Sequence, residues 1–228
     1  MEIDAGALKL KGFFQQVEND KFSLRLCMSG GTINTTHLRK AIEIAEKYGD
    51  SVIHLTSRQQ IEIPFISDIN VAKVQKVIAD EGISTFIGGP RVRTVLACLG
   101  SSVCKFGQIE TGELAKEIHK IYFGQELPAK LKIAITGCQN NCVKVEANDI
   151  GIRGVNHGYL FYFGGCFGRE IRIGKNILPV LNDKKDVLKV IEAAVNFFKI
   201  NANKGERLGK LQERVGIEPF KKQLESVL

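Results

Sequence analysis

Two pairs of cysteines in glycine-bounded stretches constrain this chain more than any other feature of its sequence. Cys98 and Cys104 are separated by five residues, and Cys138 and Cys142, further along the chain, are separated by three. Reduced thiols are the rule inside cells, so such pairs are more typical of metal ligands, catalytic groups or small buried side chains than of disulfides. The chain must therefore bring two separate loops together if all four thiols serve one site.

Three kinds of site remain open from the spacing alone. A [4Fe–4S] cluster requires one soft thiolate at each of four iron corners, and glycines allow the backbone to approach it closely. A Cys₄ zinc site usually uses pairs separated by two to four residues, which suits Cys138 and Cys142 better than Cys98 and Cys104. The third interpretation is that the thiols pack as small hydrophobic side chains. Cys27 has no partner at ligand spacing, nor has Cys166, and we interpret both as core or structural residues.

Composition limits the classes of protein to which this chain can belong. Its 228 residues, 44% of them hydrophobic, are enough for one substantial core or two modest ones. No stretch approaches the length of an apolar membrane span and the N-terminus has no continuous apolar run, so we expect a cytoplasmic protein that does not enter a membrane. The net charge of +7 is spread along the chain and tryptophan is absent, which favours an anionic ligand over nucleic acid.

The order of helical and strand-like patterns predicts an α+β fold. In the first part, strand-like segments and helical periodicities alternate as β-α-β-β-α, half of a ferredoxin-like arrangement. A change of character at Gly88-Gly89-Pro90 introduces a second α+β domain, which carries the cysteines. We predict the following division: a ferredoxin-like half-domain at 1–87, a cofactor-binding domain at 88–200 and a helical C-terminal tail at 201–228.

Four basic residues are candidates for binding an anion, because each lies beside a strand-like segment or a glycine-rich turn. They are Arg58, Arg93, Lys130 and Lys132. Lys130 and Lys132 alternate along a predicted strand and therefore point to one face. Arginine offers planar, bidentate donors to an oxyanion, and lysine offers a point charge and a proton. Ordinary surface charge is the alternative interpretation for each of them.

These motifs together resemble the sirohaem-dependent sulfite and nitrite reductase family, in particular its small single-repeat assimilatory-type sulfite reductases. The resemblance runs from about Phe22 to Gly154. The two cysteine pairs have the spacing of the family's signature. Three further motifs match in this sequence: Thr56-Ser57-Arg58-Gln59, Arg93-Thr-Val-Leu-Ala-Cys98 and Pro128-Ala-Lys130-Leu-Lys132.

The resemblance implies two cofactors, a sirohaem and a [4Fe–4S] cluster. All four cysteines would hold the cluster, and Cys142 would also be the axial ligand of the sirohaem iron. Arg58, Arg93, Lys130 and Lys132 would bind the substrate oxyanion and supply protons. The residues implied in binding the cofactor are Arg58, Gln59, Arg93, Asn140 and Cys142. The implied reaction is the six-electron reduction of sulfite to sulfide. Reduction of nitrite to ammonia and non-catalytic electron transfer are the alternatives.

The same resemblance has consequences for partners. The sequence contains neither a Cys-x₂-Cys-x₂-Cys run nor a glycine-rich nucleotide motif, so we expect a separate electron donor such as a ferredoxin. Larger family members look like two fused copies of this unit, one with the cations and the other with the cysteines. This chain has both sets in one copy, which predicts a homodimer in which the Arg and Lys side chains of one subunit serve the cofactor of the other.

Overall fold

The computed structural model describes residues 4–228 and divides the chain into two compact units, with the division between Gly89 and Pro90. Both units mix helices with a four-stranded sheet, so the predicted α+β class is confirmed. The boundaries that we drew after residues 87 and 200 stay predictions.

The first unit is built on an antiparallel sheet with the order β1-β2-β4-β3. The predicted β-α-β-β-α sequence is present as β2 to α3, whereas α1 and β1 were not predicted. Asn34 caps the first long helix by accepting a hydrogen bond from the His37 backbone N–H at 2.7 Å. The elements are α1 (Ala5–Leu10), β1 (Phe13–Gln15), β2 (Lys21–Arg25), α2 (Thr35–Tyr48), β3 (His54–Leu55), β4 (Ile61–Ser67) and α3 (Asp68–Asp80).

One face of this sheet forms the core of the first unit with the two long helices. Phe22 and Leu24 of β2 and Ile63 of β4 are almost completely buried, and they share a core with side chains of α2 and α3. Because side chains alternate along a strand, Arg25 next to Leu24 and Glu62 next to Ile63 lie on the opposite face. That second face carries the polar groups described below.

The second unit contains a mostly parallel sheet with the order β5-β6-β7-β8. β5, β6 and β7 run parallel, and β8 pairs antiparallel with β7. Buried side chains of the strands and of α4 and α5 form one core. The elements are β5 (Leu96–Ala97), α4 (Gly112–Tyr122), β6 (Ile133–Thr136), β7 (Ile150–Val155), β8 (Gly158–Phe163), β9 (Cys166–Phe167), β10 (Ile171–Arg172), α5 (Lys184–Asn201), α6 (Leu208–Val215) and α7 (Ile217–Glu225).

The C-terminal segment belongs to the core of the second unit. It forms two helices, α6 and α7, and the break between them falls at Gly216, whose φ of 82° suits glycine. Leu211 and Phe220 are completely buried in the second core. Among residues 4–228, no helix combines the length and apolar character needed to cross a membrane.

Candidate functional site

The two cysteine loops begin at the carboxyl ends of adjacent parallel strands. Cys98 directly follows β5, and Cys138 follows β6 after a single intervening glycine. The strands are in register, with Ala97 opposite Ile135, and the Cys98 backbone N–H donates to the Ile135 carbonyl at 3.2 Å. Carboxyl ends of parallel strands are a common place for ligand-binding loops. The sheet therefore starts both loops side by side.

Contacts between the loops bring polar donors to the Cys98 sulfur. The Gly137 backbone N–H donates to Cys98 Sγ at 3.1 Å, and the Thr136 hydroxyl lies 3.9 Å from the same sulfur. A Cβ atom on Gly137 would lie only 3.0 Å from the Gly100 Cα, so a larger residue would crowd the place where the loops meet. Hydrogen bonds to sulfur favour a thiolate and are among the features that set the potential of iron–sulfur clusters.

The other thiols lie in the same two loops with different exposure. Cys138 is buried, Cys104 is half-buried and Cys142 is exposed, and the described part of the chain has no disulfide. Within residues 4–228, no three His, Cys, Asp or Glu side chains are placed to bind a single metal ion. A cubane cluster has a different requirement, because each thiolate binds a separate iron atom. Four thiols on two touching loops, with one backbone N–H and one hydroxyl near the Cys98 sulfur, fit such a cluster.

The basic residues predicted in the second unit lie at the opposite end of the same strands. Lys130 and Lys132 immediately precede β6, and Arg93 precedes β5, where its backbone N–H donates to the Leu131 carbonyl at 2.8 Å. Leu131 is completely buried while its two lysine neighbours are not, so both lysines point away from the core. The structure brings these three cations together. It does not bring them to the cysteine loops, because β6 separates the two groups by about 13 Å of strand.

Arg58 lines a cavity of about 250 Å³ on the face of the first sheet that carries Arg25 and Glu62. The lining includes the donors Arg25, His54, Thr56 and Ser57 as well, and one carboxylate, that of Glu62. The Arg25 guanidinium lies 4.8 Å from the Phe14 ring centroid and 5.1 Å from that of Phe86, and it pairs with Glu62 at 3.0 Å. These rings and the carboxylate fix Arg25 beside the cavity, where donors and cationic groups suit an anion.

The loop that carries Arg58 is held by a buried amide. Gln60, with 1% of its surface exposed, donates from its side chain to the Arg58 carbonyl at 2.7 Å and the Met28 carbonyl at 3.2 Å. Its side-chain oxygen accepts from the Met28 backbone N–H at 2.8 Å. Gln59 adopts a φ of 57° in the turn between β3 and β4. Gln60 thus fixes the shape of the turn that presents Arg58.

Sequence reasoning missed Arg25 and Gln60. The available signal for Arg25 was its charge next to a run of apolar strand residues, at a position where the side chain points away from the core. The signal for Gln60 was weaker, since its burial depends on the distant turn at Met28. Asn140 lies exposed in the loop between Cys138 and Cys142. The roles assigned to the four cysteines, the four cations, Gln59 and Asn140 stay predictions.

A buried ion pair supports the strand that leads from the lysines to the cysteines. Asp149 is completely buried, and its carboxylate accepts from the Lys132 backbone N–H at 2.7 Å and from the Arg207 guanidinium at 2.7 and 2.9 Å. Burial lowers the pKa of Arg207, but Asp149 and the nearby Cys166 sulfur at 3.5 Å raise it more, so the guanidinium stays charged. Arg207 of the C-terminal segment therefore holds the strand end that carries Lys132.

The fold and the site are those of a two-unit α+β protein whose two cysteine loops suit an iron–sulfur cluster. The family models identify it further. Residues 14–80 match the nitrite/sulfite reductase ferredoxin-like half domain, and residues 88–228 match the nitrite and sulphite reductase 4Fe-4S domain. The chain belongs to the nitrite and sulphite reductase family. Membership implies a sirohaem and a [4Fe–4S] cluster as its cofactors, in agreement with the sequence prediction.

Individual relatives include enzymes for both oxyanions. The chain is 30% identical to a Bacillus subtilis nitrite reductase [NAD(P)H] over 190 residues, 83% of this chain but only 23% of that protein. It is 27% identical to the assimilatory-type sulfite reductase of Nitratidesulfovibrio vulgaris, over 84% of this chain and 86% of that protein. The solved structure of the Mycobacterium tuberculosis NirA protein matches with a TM-score of 0.82 at 22% identity, covering 96% of this chain and 45% of that one. That likeness concerns the fold.

Proposed function

We propose that this protein reduces sulfite to sulfide in a six-electron reaction at a sirohaem coupled to a [4Fe–4S] cluster, with electrons from a separate low-potential donor such as a ferredoxin. The observation that carries the proposal is the pair of cysteine loops on adjacent parallel strand ends, with backbone N–H donation to the Cys98 sulfur. Sulfite is favoured because the assimilatory-type sulfite reductase of Nitratidesulfovibrio vulgaris matches over most of its own length.

Nitrite is the second candidate substrate. It is supported by the Bacillus subtilis nitrite reductase, which matches 83% of this chain at 30% identity. This chain spans only 23% of that protein, so the activity of the whole relative does not by itself identify the substrate of this chain.

The four cysteines are proposed as the cluster ligands. The Cys98 sulfur accepts a hydrogen bond from the Gly137 N–H, and the next residue, Cys138, is buried. The place where the two loops meet is therefore the fixed part of the site. Cys142 is the exposed member of the set, which suits a thiolate shared with a second group, the sirohaem iron. Asn140 is exposed between the two thiols of its loop and is proposed to contact the sirohaem.

The cations have two tasks in this proposal. When bound, the coupled cofactors supply electrons and an open iron position for the oxyanion. Arg58 and Arg93 bind and orient anionic groups through their planar guanidinium donors, with Gln59 beside Arg58. The Nζ atoms of Lys130 and Lys132 hold the protons that the departing oxygens require. Arg25 joins this set on the strength of its place in the Arg58 cavity.

The positions of the cations and cysteines on one sheet support a site shared between two copies of the chain. Arg93, Lys130 and Lys132 lie at the amino ends of β5 and β6, and the cysteine loops lie at the carboxyl ends. A single chain thus offers half of the required groups at each end of its sheet. We propose a homodimer in which the lysines of one copy face the cluster loops of the other.

Exposed apolar side chains border the cysteine loops and give the second copy something to cover. Leu99, Val103 and Phe106 are 54%, 68% and 56% exposed, all in or beside the loop that begins at Cys98. Apolar groups concentrated on one short segment are typical of contact surfaces. A second copy seated there would bury them and exclude water from the site.

Steady-state kinetics of the holo-protein test the proposed function. With reduced viologen as donor under anaerobic conditions, we expect kcat/KM for sulfite to exceed that for nitrite, with sulfide as the product. A preference for nitrite with ammonia as the product would move the assignment to the second candidate. A protein that holds both cofactors and consumes neither oxyanion would leave only the electron-transfer alternative.

A further inference from the structure

A relay of three side chains fastens the loop between Cys138 and Cys142 to the central strands of the second unit. Asn141, inside this loop, donates from its side-chain amide to Glu146 at 2.5 Å and accepts from the Val145 backbone N–H at 2.9 Å. Glu146 in turn forms an ion pair with Arg153 of β7. The Asn141–Glu146–Arg153 relay thus begins between two proposed cluster ligands and ends on the sheet.

The sheet end of the relay is firmly placed. Arg153 is the register partner of Thr136, the last residue of β6 before the Gly137-Cys138 turn. Its guanidinium carbon lies 4.9 Å from the centroid of the Tyr162 ring on β8. The relay therefore connects Asn141, near the end of the cysteine loop, to Arg153, which lies beside Thr136 where the loop begins. A closed connection of this kind limits how far the two thiols can move apart.

The backbone at Glu146 is equally constrained. Its carbonyl accepts from the Gly174 N–H at 2.8 Å, and a Cβ on Gly165 would lie only 2.0 Å from the same oxygen. The segment that follows Cys142 is thus packed against glycine backbone on one side. The side chains of Asn141 and Glu146 add a second restraint on the loop.

The charges of the relay cancel within it. Glu146 and Arg153 each have 19% of their side-chain surface exposed, so water screens them incompletely. As a pair they add no net charge beside the loop, whereas either one alone would place a full charge there.

We infer that Asn141, Glu146 and Arg153 are positioning residues for the iron–sulfur centre, and that the neutrality of their ion pair sets its reduction potential. The inference deepens the proposed function and rests on it, because the cluster is assigned to this loop there. None of the three residues is a proposed cluster ligand. They act through the loop that carries two of the ligands and through the charge that they place beside it.

Redox titration of anaerobic holo-protein separates the electrostatic part from a structural one. Glu146→Gln leaves the Arg153 charge unpaired and should raise the midpoint potential of the iron–sulfur centre, because a nearby positive charge stabilises the reduced form. Arg153→Met leaves the Glu146 charge unpaired and should lower it. The double variant Glu146→Gln/Arg153→Met removes both charges and should return the potential towards that of the wild type. Arg153→Lys keeps the charge and should stay near the wild-type value.

A matched control uses an exposed ion pair of the same unit, Glu113 and Lys116 on α4. Glu113→Gln and Lys116→Met change the net charge by the same amounts as Glu146→Gln and Arg153→Met. Neither control variant should shift the midpoint potential measurably. Shifts of the same sign in both relay variants, or no shift in either, would overturn the electrostatic inference. If Arg153→Met does not fold, the upward shift in Glu146→Gln still decides.

Cluster retention tests the positioning role. Asn141 has a φ of 52°, which glycine adopts without strain, so Asn141→Gly removes the side-chain contacts and keeps the backbone. We expect the rate of iron loss to a chelator to rise about tenfold, in the range found for groups that orient metal ligands. An unchanged rate would contradict the role. A wild-type protein without iron would instead refute the proposed function, so the two failures are distinguishable.

Discussion

At the scale of single residues, the important side chains are those whose neighbours fix them. Arg58 was predicted from a four-residue motif, but the structure adds the buried Gln60 that shapes its turn and the Arg25 that lines the same cavity. The motif could be read locally. The role of Gln60 depends on the Met28 turn, which is distant in sequence, and no local pattern predicts such a contact.

Replacement of Gln60 by leucine should destabilise the first unit. Leucine is similar in size but leaves the Met28 N–H, the Met28 carbonyl and the Arg58 carbonyl without their partner. We expect a loss of about 2 kcal/mol in the free energy of unfolding, the usual cost of buried groups left unsatisfied. Urea denaturation measures it. Exposed Gln15 provides the control, as Gln15→Leu; equal stability of the two variants would contradict the role of Gln60.

The proton-donating role of Lys132 is also a prediction at this scale. Lys132→Ala should lower kcat by about 100-fold, the lower range for loss of a general acid, and leave the iron content unchanged. Exposed Lys120 on α4 supplies a matched control, since Lys120→Ala removes the same charge away from the site. Wild-type turnover in Lys132→Ala would remove that residue from the mechanism.

At the scale of elements, the helices and strands with clear periodicity were predictable and their connections were not. The α2 helix has a capping residue, Asn34, at its start and a glycine, Gly49, at its end, and both signals lie next to the helix in the sequence. The short β9–β10 hairpin has two residues in each strand and no such pattern. The order lysines, strand, cysteines is visible in the sequence itself, so the opposite placement of the two groups on β6 could have been predicted.

The junction between α5 and α6 predicts a dependence of stability on pH. Two hydrogen bonds from Arg214 at 2.8 Å are the main cause that lowers the pKa of Glu206 to about 2. Because the folded pKa lies below the ordinary value of 4.5, this carboxylate stabilises the fold fully above about pH 4.5, and the stabilisation is lost as the pH falls towards 2.

Glu206→Gln should therefore lower the free energy of unfolding by about 1 kcal/mol at pH 7, and by progressively less at pH 4 and pH 3. Urea denaturation of both proteins across this range measures the difference. Glu192→Gln, an exposed change on α5, is the control. A difference that stayed constant from pH 7 to pH 3 would show that the ionised carboxylate is not the source of the stabilisation.

At the scale of the whole molecule, the sheet of the second unit separates the two halves of the chemistry. Cations at one end and thiols at the other cannot serve the same cofactor within one unit unless the site extends along the whole strand. A second copy removes that difficulty, because each chain then contributes the end that the other lacks. The family resemblance alone suggested this dimer, and the placement of the residues on β6 now provides a physical reason for it.

Complementation between two inactive variants tests the shared site. A chain with Cys138→Ser and a chain with Lys132→Ala, carrying different affinity tags, are co-expressed and the mixed dimer is isolated. If the sites are shared, one of the two sites in the mixed dimer is intact, and its turnover should be about half that of the wild type. A mixed dimer as inactive as its parents, or a holo-protein that is monomeric by light scattering, would refute the shared site.

An anaerobic absorption spectrum of the purified protein, with iron and acid-labile sulfide analysis of the same sample, shows directly whether the chain holds both cofactors. We expect sirohaem bands and roughly five irons per chain, four for the cluster and one for the sirohaem. We also expect Cys142→Ser to lose the coupled centre. A colourless protein with zinc in place of iron would refute the iron–sulfur site.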